Sequence, residues 1–302
     1  MADAIVQPWE RRPVTDSYHV YSDGTRQSVL FEDPADKVFC MNLIALTGHL
    51  YGITLLCPIV MDTHFHIVLQ GTGENVHCMV IQMKRQISLY LSRRGKRHLV
   101  KEGIWVEYEP IADDIELMQK IIYVFRNDLD SGGPLLPEDY PWGAGPLFFH
   151  GKKDPKVFHR VSGLSLNERR KIFHTRTDFP STWLYDDNGM ILPQCYLDRQ
   201  YVMTLFGSPR RFLAFLFVKK KDLADMDEQN ARRFIERRRD AELHAAANEE
   251  SLRVFNRKVY KLTQAEKLEL AKILWQKKLT LSRKQLARAV QMTPSIIEAV
   301  FH

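Results

Sequence analysis

Hydrophobic and polar positions alternate over Ser17-Tyr18-His19-Val20-Tyr21-Ser22, and the run closes on Asp23-Gly24, which predicts a strand and a turn. Asp33-Pro34 opens a helix to about His49, with Val38, Phe39, Leu43 and Leu46 on its apolar face, and Gly52 breaks it. Two apolar runs, Ile53 to Val60 and Phe65 to Leu69, flank Met61-Asp62-Thr63 and predict a central hairpin. Val76, Val80, Met83, Ile87 and Leu91 recur at helical spacing and predict a long helix from about Glu74 to Arg94. Ile104 to Glu109 is a fourth strand, and Asp113-Asp114 starts a helix that runs through Tyr123 to about Asn127. The order β-α-β-β-α-β-α predicts an α+β unit over 1–150, a ferredoxin-like antiparallel sheet with helices on one face.

The pattern then changes. Residues 151–200, like the stretch from 128, are rich in Pro, Gly and aromatics and read as mostly ordered loop connecting two parts of the chain. From Leu197 it turns helical, so 201–302 is expected to be a mainly helical region. Its apolar stretch from Pro209 to Phe217 ends in Lys219-Lys220-Lys221, and Arg232-Arg233 and Arg237-Arg238-Arg239 lie on a charged helix, runs most often found on solvated faces. Leu281 to Val290, with Ser282 as N-cap, and Pro294 to Phe301, with Thr293 as cap, are two short helices joined by Gln291-Met292-Thr293. Within about 264–302 they resemble a helix-turn-helix or, equally, a plain helical hairpin.

Composition narrows the classes. The chain has 302 residues, of which 45% are hydrophobic, enough for a packed core, and a formal net charge of +6, compatible with a nucleic-acid partner but not diagnostic of one. Cys40, Cys57, Cys78 and Cys195 form no C-x-x-C pair, which argues against a zinc ribbon or a disulfide framework. The start, Met1-Ala2-Asp3-Ala4, has no apolar segment of a leader and no run of eighteen apolar residues follows, so the expected location is cytoplasmic.

The candidate chemistry sits on the hairpin. Side chains alternate along a strand, so His64 and His66 face one way and Phe65 the other, and two imidazoles on one face are half of a divalent-metal site. Tyr123 and Asn127 are four apart on a helix and share a face. The Asn127 amide oxygen is a hard ligand that suits Mg²⁺ or Mn²⁺, and metal polarisation of a phosphate offsets the weak nucleophilicity of the Tyr123 hydroxyl. The set is a coherent device for cutting a phosphodiester. Lys84, Arg85, Arg93 and Arg94 on the long helix, with Arg126 beside the tyrosine, are candidate DNA contacts, and Trp105 and Tyr108 candidate stacking platforms.

Residues 17–145 resemble the single-tyrosine HUH transposases, in particular the REP-associated tyrosine transposases. The pieces come in order: Tyr18-His19-Val20 with Gly24, then Tyr51-Gly52-Ile53, then Val60-Met61-Asp62-Thr63-His64-Phe65-His66-Ile67-Val68-Leu69. Tyr123-Val124-Phe125-Arg126-Asn127-Asp128-Leu129 follows, then Gly132 and Pro137-Glu138-Asp139-Tyr140-Pro141-Trp142. Asp62-Thr63 stands where the family has Pro-Asn, Phe125 where it has His and Asp128 where it has Pro. The resemblance implies that Tyr123 is the nucleophile, His64 and His66 the metal pair and Asn127 the third ligand. It also implies a metal-dependent transposase and nuclease, using Mg²⁺ or Mn²⁺, that cuts and rejoins single-stranded DNA at imperfect hairpins through a covalent phosphotyrosine. Whether such an enzyme acts as a monomer or a homodimer stays open. The alternative is a domesticated hairpin-DNA-binding protein with little or no cleavage. A metallo-β-lactamase-type site needs H-x-H-x-D-H, which Ile67-Val68-Leu69 does not supply.

Overall fold

The computed structural model describes residues 16–24, 29–100, 103–151, 157–175, 177–208, 211–213, 215, 216, 240–277 and 283–301. Strand β1 (Asp16–Ser22) is followed by helix α1 (Pro34–Leu50), the hairpin of β2 (Thr54–Val60) and β3 (Phe65–Gly71), helix α2 (Gly73–Arg93), strand β4 (Val106–Ile111) and helix α3 (Asp114–Asp130). The four strands form one antiparallel sheet in the order β2-β3-β1-β4, so β1 and β3 are central.

Each element starts where the local chemistry allows. Pro34 begins α1 with its fixed φ, and the Asp33 N–H donates back to Asp36 Oδ2 at 3.3 Å. Thr72 Oγ1 accepts from Asn75 N at 3.3 Å at the head of α2. Asp113 Oδ1 accepts from the amides of Ile115 and Glu116 at 2.9 and 2.8 Å and fixes where α3 begins. The edge strand β2 tolerates Pro58, which lacks a ladder donor. The Pro137–Trp142 segment runs along that edge: Val60 N donates to the Trp142 carbonyl at 2.9 Å, and Tyr140 Oη to the Val60 carbonyl at 2.7 Å.

Register assigns the two faces of the sheet. Paired residues share a face, so Val20, Ile67 and Tyr108 lie on one side and His19, Val68 and Glu109 on the other. Helices α1 and α2 cover the first side, where Tyr108 Oη and His77 Nδ1 approach to 3.3 Å and Phe39 of α1 stacks on Tyr90 of α2 with ring centres 3.8 Å apart. Helix α3 covers the second. The expected sheet with helices on one face therefore gains a helix on the other. The reason is visible in its sequence: Leu117, Met118, Ile121, Ile122, Val124 and Phe125 are all buried, too wide an apolar face to leave in water.

The segment read as mostly ordered loop holds more helix and strand than expected. It holds α4 (Gly145–His150), a two-stranded ladder of β5 (His159–Arg160) and β6 (Leu184–Tyr185), α5 (Leu166–Phe173) and α6 (Arg199–Leu205). Val161, Phe173, Phe179, Trp183, Tyr185 and Ile191 make a small core against Ala45 and Leu46 of α1. Residues 240–277 and 283–301 form a helical unit with its own core: α7 (Asp240–Phe255), α8 (Gln264–Gln276), α9 (Arg283–Val290) and α10 (Pro294–Val300). The two short helices expected at the C-terminus are α9 and α10, packed on the preceding helices through Leu286, Ala287, Ala289, Val290 and Ile297. Thr293 stands at the N-cap of α10 but makes no side-chain cap. The lead-in before residue 16, Ser282 and the basic runs Lys219-Lys220-Lys221, Arg232-Arg233 and Arg237-Arg238-Arg239 lie outside the described residues. Among the described residues no helix is long and apolar enough to cross a membrane.

Candidate metal and tyrosine site

His64 closes the turn between β2 and β3, its carbonyl accepting from Met61 N at 2.8 Å, and His66 follows on β3. Both rings face α3. His64 Nε2 lies 3.2 Å from Asn127 Oδ1, and the His66 ring centre is 5.1 Å from that of His64 and 5.3 Å from that of Tyr123. The sheet buries both imidazoles, each 5% exposed, while Tyr123 remains 38% exposed, so the phenol is reachable from outside.

His19 is a third imidazole that sequence reasoning left out of the site. It stands on β1, diagonal to His66 across the ladder, with ring centres 5.1 Å apart. His19 Nδ1 is 3.1 Å from Glu109 Oε1, and His19 Nε2 is 3.1 Å from His66 Nδ1. Glu109 also pairs with Lys120 of α3. Burial works to raise the Glu109 carboxyl, but Lys120 and His19 outweigh it and hold it below the usual carboxylate range. Burial lowers His19 and, together with the neighbouring His64 and His19, lowers His66 well below 6.5, so both rings are neutral near pH 7.

Those charge states order the hydrogens. The Glu109 carboxylate can only accept, so His19 Nδ1–H donates to it. His19 Nε2 then carries a lone pair and accepts from His66 Nδ1–H. His66 Nε2 is left as a buried lone pair with no partner among the described residues. A metal-ligating histidine is held in the same way, its far nitrogen donating to an outer partner.

The donor set fits a divalent cation. Two ligand atoms held cis at about 2.1 Å from one hard cation are about 3.0 Å apart, close to the spacing of His64 Nε2 and Asn127 Oδ1. All three donors are neutral, so a bound cation keeps its charge for an anionic substrate. Among the described residues no group of three or more His, Cys, Asp or Glu side chains is gathered for a metal, and the set rests on the Asn127 amide for its third member. Burial, with the Arg288 guanidinium, pushes His64 down to about 4 and favours the neutral ring that a metal needs. Burial raises the Tyr123 phenol, while a hydrogen bond from Asn127 and the charges of Arg288 and Lys120 act downward.

The expected DNA contacts fall elsewhere. Lys84, Arg85 and Arg93 are on α2, across the sheet from the histidines. Arg94 caps α2 and pairs with Asp33 and with the buried Asp36. Arg126 is buried, paired with Asp130 at 2.8 Å and donating to the Leu216 carbonyl at 3.2 Å. The cations beside the tyrosine are instead Lys120 and Arg288, the latter from α9. Of the aromatics, Trp105 reaches the site face, 5.7 Å from Tyr21, whereas Tyr108 is on the α2 side. Phe125 turns away from the site to pack edge-on against Phe148 and Phe212 at 5.1 and 5.3 Å. The Asp128 carboxylate folds over the turn after α3, where a Cβ at Gly133 would lie 2.0 Å from Oδ2.

No protein-family model matches the chain, no curated protein is significantly similar to it, and no solved structure matches its fold.

Proposed function

We propose that this protein is a metal-dependent transesterase acting on single-stranded DNA with imperfect hairpins, a single-tyrosine HUH transposase of the REP-associated kind. The observation that carries the reading is the convergence on one sheet face of an accessible phenol, Tyr123, with the buried His66 Nε2, unpartnered among the described residues, beside it and the His64–Asn127 pair. The antiparallel strand order β2-β3-β1-β4 with α1 and α2 packed on one face supports it, since a ferredoxin-like scaffold calls for that order.

His64, His66 and Asn127 would hold Mg²⁺ or Mn²⁺. The cation would supply positive charge at a non-bridging phosphate oxygen, a role worth several kcal/mol in phosphoryl chemistry. The chain's own groups do the rest. The Tyr123 oxygen forms a bond to phosphorus as the bond from phosphorus to one sugar oxygen breaks, and the phenolic proton is balanced by protonation of that leaving oxygen. Rejoining is the reverse, with a strand hydroxyl displacing the tyrosine. Lys120 and Arg288 favour the phenolate, and Tyr21 with Trp105 offers a stacking face for an unpaired base.

The test is cleavage of labelled single-stranded hairpin DNA from the flanks of the gene, with Mn²⁺ or Mg²⁺, for wild type and Tyr123→Phe. The expected outcome is a metal-dependent covalent adduct in wild type and none in the variant, a loss of at least about a thousandfold for removal of a nucleophile. Binding without cutting by either protein would favour the domesticated binder. Equal cutting by both would overturn the assignment of Tyr123.

A further inference from the structure

The helical unit of residues 240–277 and 283–301 reaches back to the metal ligands, and its first residue makes the decisive contact. Thr63 Oγ1 is 2.8 Å from His64 Nδ1 and 3.5 Å from Asp240 Oδ2. Asp240 is held by Arg288, whose Nε lies 2.9 Å from Oδ2 and whose Nη2 donates to Oδ1 at 3.3 Å. The start of α7 is clamped further by Ala241 N donating to Asp62 Oδ2 at 3.3 Å, while Asp62 Oδ1 pairs with Lys37 at 2.7 Å. Gln285 Nε2 donates to the Ser131 carbonyl at 2.8 Å and ties α9 to the end of α3. The contact is dry. Thr63 is 0% exposed, and Gly24 packs so closely that a Cβ there would lie 2.8 Å from Thr63 Oγ1, 3.0 Å from His64 Nδ1 and 3.1 Å from Arg288 Cδ.

Two arrangements of hydrogens satisfy the Thr63–His64–Asn127 contacts. In one, the Thr63 hydroxyl donates to His64 Nδ1, and His64 Nε2–H donates to Asn127 Oδ1; the hydrogen on Nε2 then blocks the ligand position. In the other, His64 Nδ1–H donates to Thr63, Nε2 presents a lone pair, and the Asn127 amide is turned so that Nδ2–H rather than Oδ1 faces it. A threonine hydroxyl has one hydrogen, and a carboxylate gripped by a guanidinium can only accept. With Asp240 present, that hydrogen goes to Asp240 and His64 takes the second arrangement.

We propose that Asp240 is a positioning residue that acts through Thr63 to hold His64 in the Nδ1–H tautomer, so that the C-terminal helical unit is a working part of the metal site. The inference rests on the reading of His64 as a metal ligand. It gives Asp62-Thr63, one of the departures from the family pattern, a task.

The test uses the full chain and two readouts. In the metal-free protein, ¹⁵N chemical shifts of the His64 ring report its tautomer: wild type and Thr63→Ser are expected as Nδ1–H, and Asp240→Ala and Thr63→Val as Nε2–H. With Mn²⁺ alone, both disabling variants are expected to bind about 10- to 100-fold more weakly than wild type, and the double variant no more weakly than either. Thr63→Val approaches the same bond from the sheet side, so it keeps the test open if Asp240→Ala fails to fold. An Nε2–H tautomer in wild type, or Mn²⁺ affinity unchanged in both variants, would overturn the inference. Wild type that binds no Mn²⁺, or a His64→Ala variant that binds it equally, would overturn the metal reading itself, and the ¹⁵N result would still stand apart from it.

Discussion

A carboxylate only accepts hydrogen bonds, and at the residue scale that asymmetry sets the site. Glu109, kept ionised by Lys120 and His19, orders the hydrogens through His19 to the free lone pair of His66. Replacing His19 by Leu removes the acceptor of His66 Nδ1–H and leaves a buried donor unpaired. Mn²⁺ titration of His19→Leu is expected to give about tenfold weaker binding, and unchanged affinity would mean that the ring only packs. His19 was legible as a strand residue but not as a site residue, because nothing in Tyr18-His19-Val20 says which strand it will pair with. The pairing of Tyr21 with His66 and of His19 with Glu109 arises only when β1 is inserted between β3 and β4. His64, His66, Tyr123 and Asn127 were legible because their spacings are local, period two on a strand and four on a helix. Arg126 shares α3 with Tyr123, but its direction into the core was not readable from charge.

At the scale of the element, helix boundaries followed their caps. Asp33-Pro34, Thr72 and Asp113 mark the starts of α1, α2 and α3. Removing the Asp113 cap by Asp113→Ala is expected to cost about 1 kcal/mol in urea denaturation. The α1–α2 pair also has a buried anchor. Asp36 is 0% exposed, and its carboxylate accepts from Tyr90 Oη at 2.9 Å and from Lys96 Nζ at 2.8 Å. Asp36→Ala takes the buried acceptor from Tyr90, leaves Lys96 only Glu32 at 3.3 Å, and is expected to destabilise by about 3 kcal/mol, measured as a lower urea midpoint at unchanged slope. A loss under about 1 kcal/mol would mean that water replaces the carboxylate. Helix α5 was missed although its signal is present: Ser165 and Glu168 form a capping box, with Ser165 N donating to Glu168 Oε2 at 2.8 Å. The Pro- and Gly-rich surroundings masked an eight-residue helix whose only buried residue is Phe173.

Across the whole molecule, the sheet unit and the helical unit meet through ionisable groups, which makes their union sensitive to acid. His244 of α7 is 2% exposed, faces Asp240, Arg288 and Asp62, and has no partner for either ring nitrogen among the described residues. Burial lowers it from 6.5 to about 4. The sign follows from proton counting: between those values the unfolded chain holds the proton and the folded one does not, so stability falls as pH drops below about 6.5. The slope is about 1.4 kcal/mol per pH unit for one such group, or roughly 2 kcal/mol between pH 6.5 and pH 5. His244→Leu is expected to remove that part of the pH dependence in urea titrations at pH 7 and pH 5, and an unchanged slope would assign the acid sensitivity to other groups.

The sequence by itself determined the strands and helices of the first half, because hydrophobic period and caps act over a few residues. It also placed the two histidines on one face and the tyrosine with the amide on another. Only the tertiary structure decided which faces meet. It set α3 against the histidine face and α2 against the opposite one, so the basic residues of α2 are separated from the site by the sheet. It also brought His19, Lys120, Asp240 and Arg288 around His64, His66, Tyr123 and Asn127, from up to 224 positions away (Arg288 from His64). Those meetings depend on strand order and on the packing of separate cores, neither of which is encoded in any local stretch.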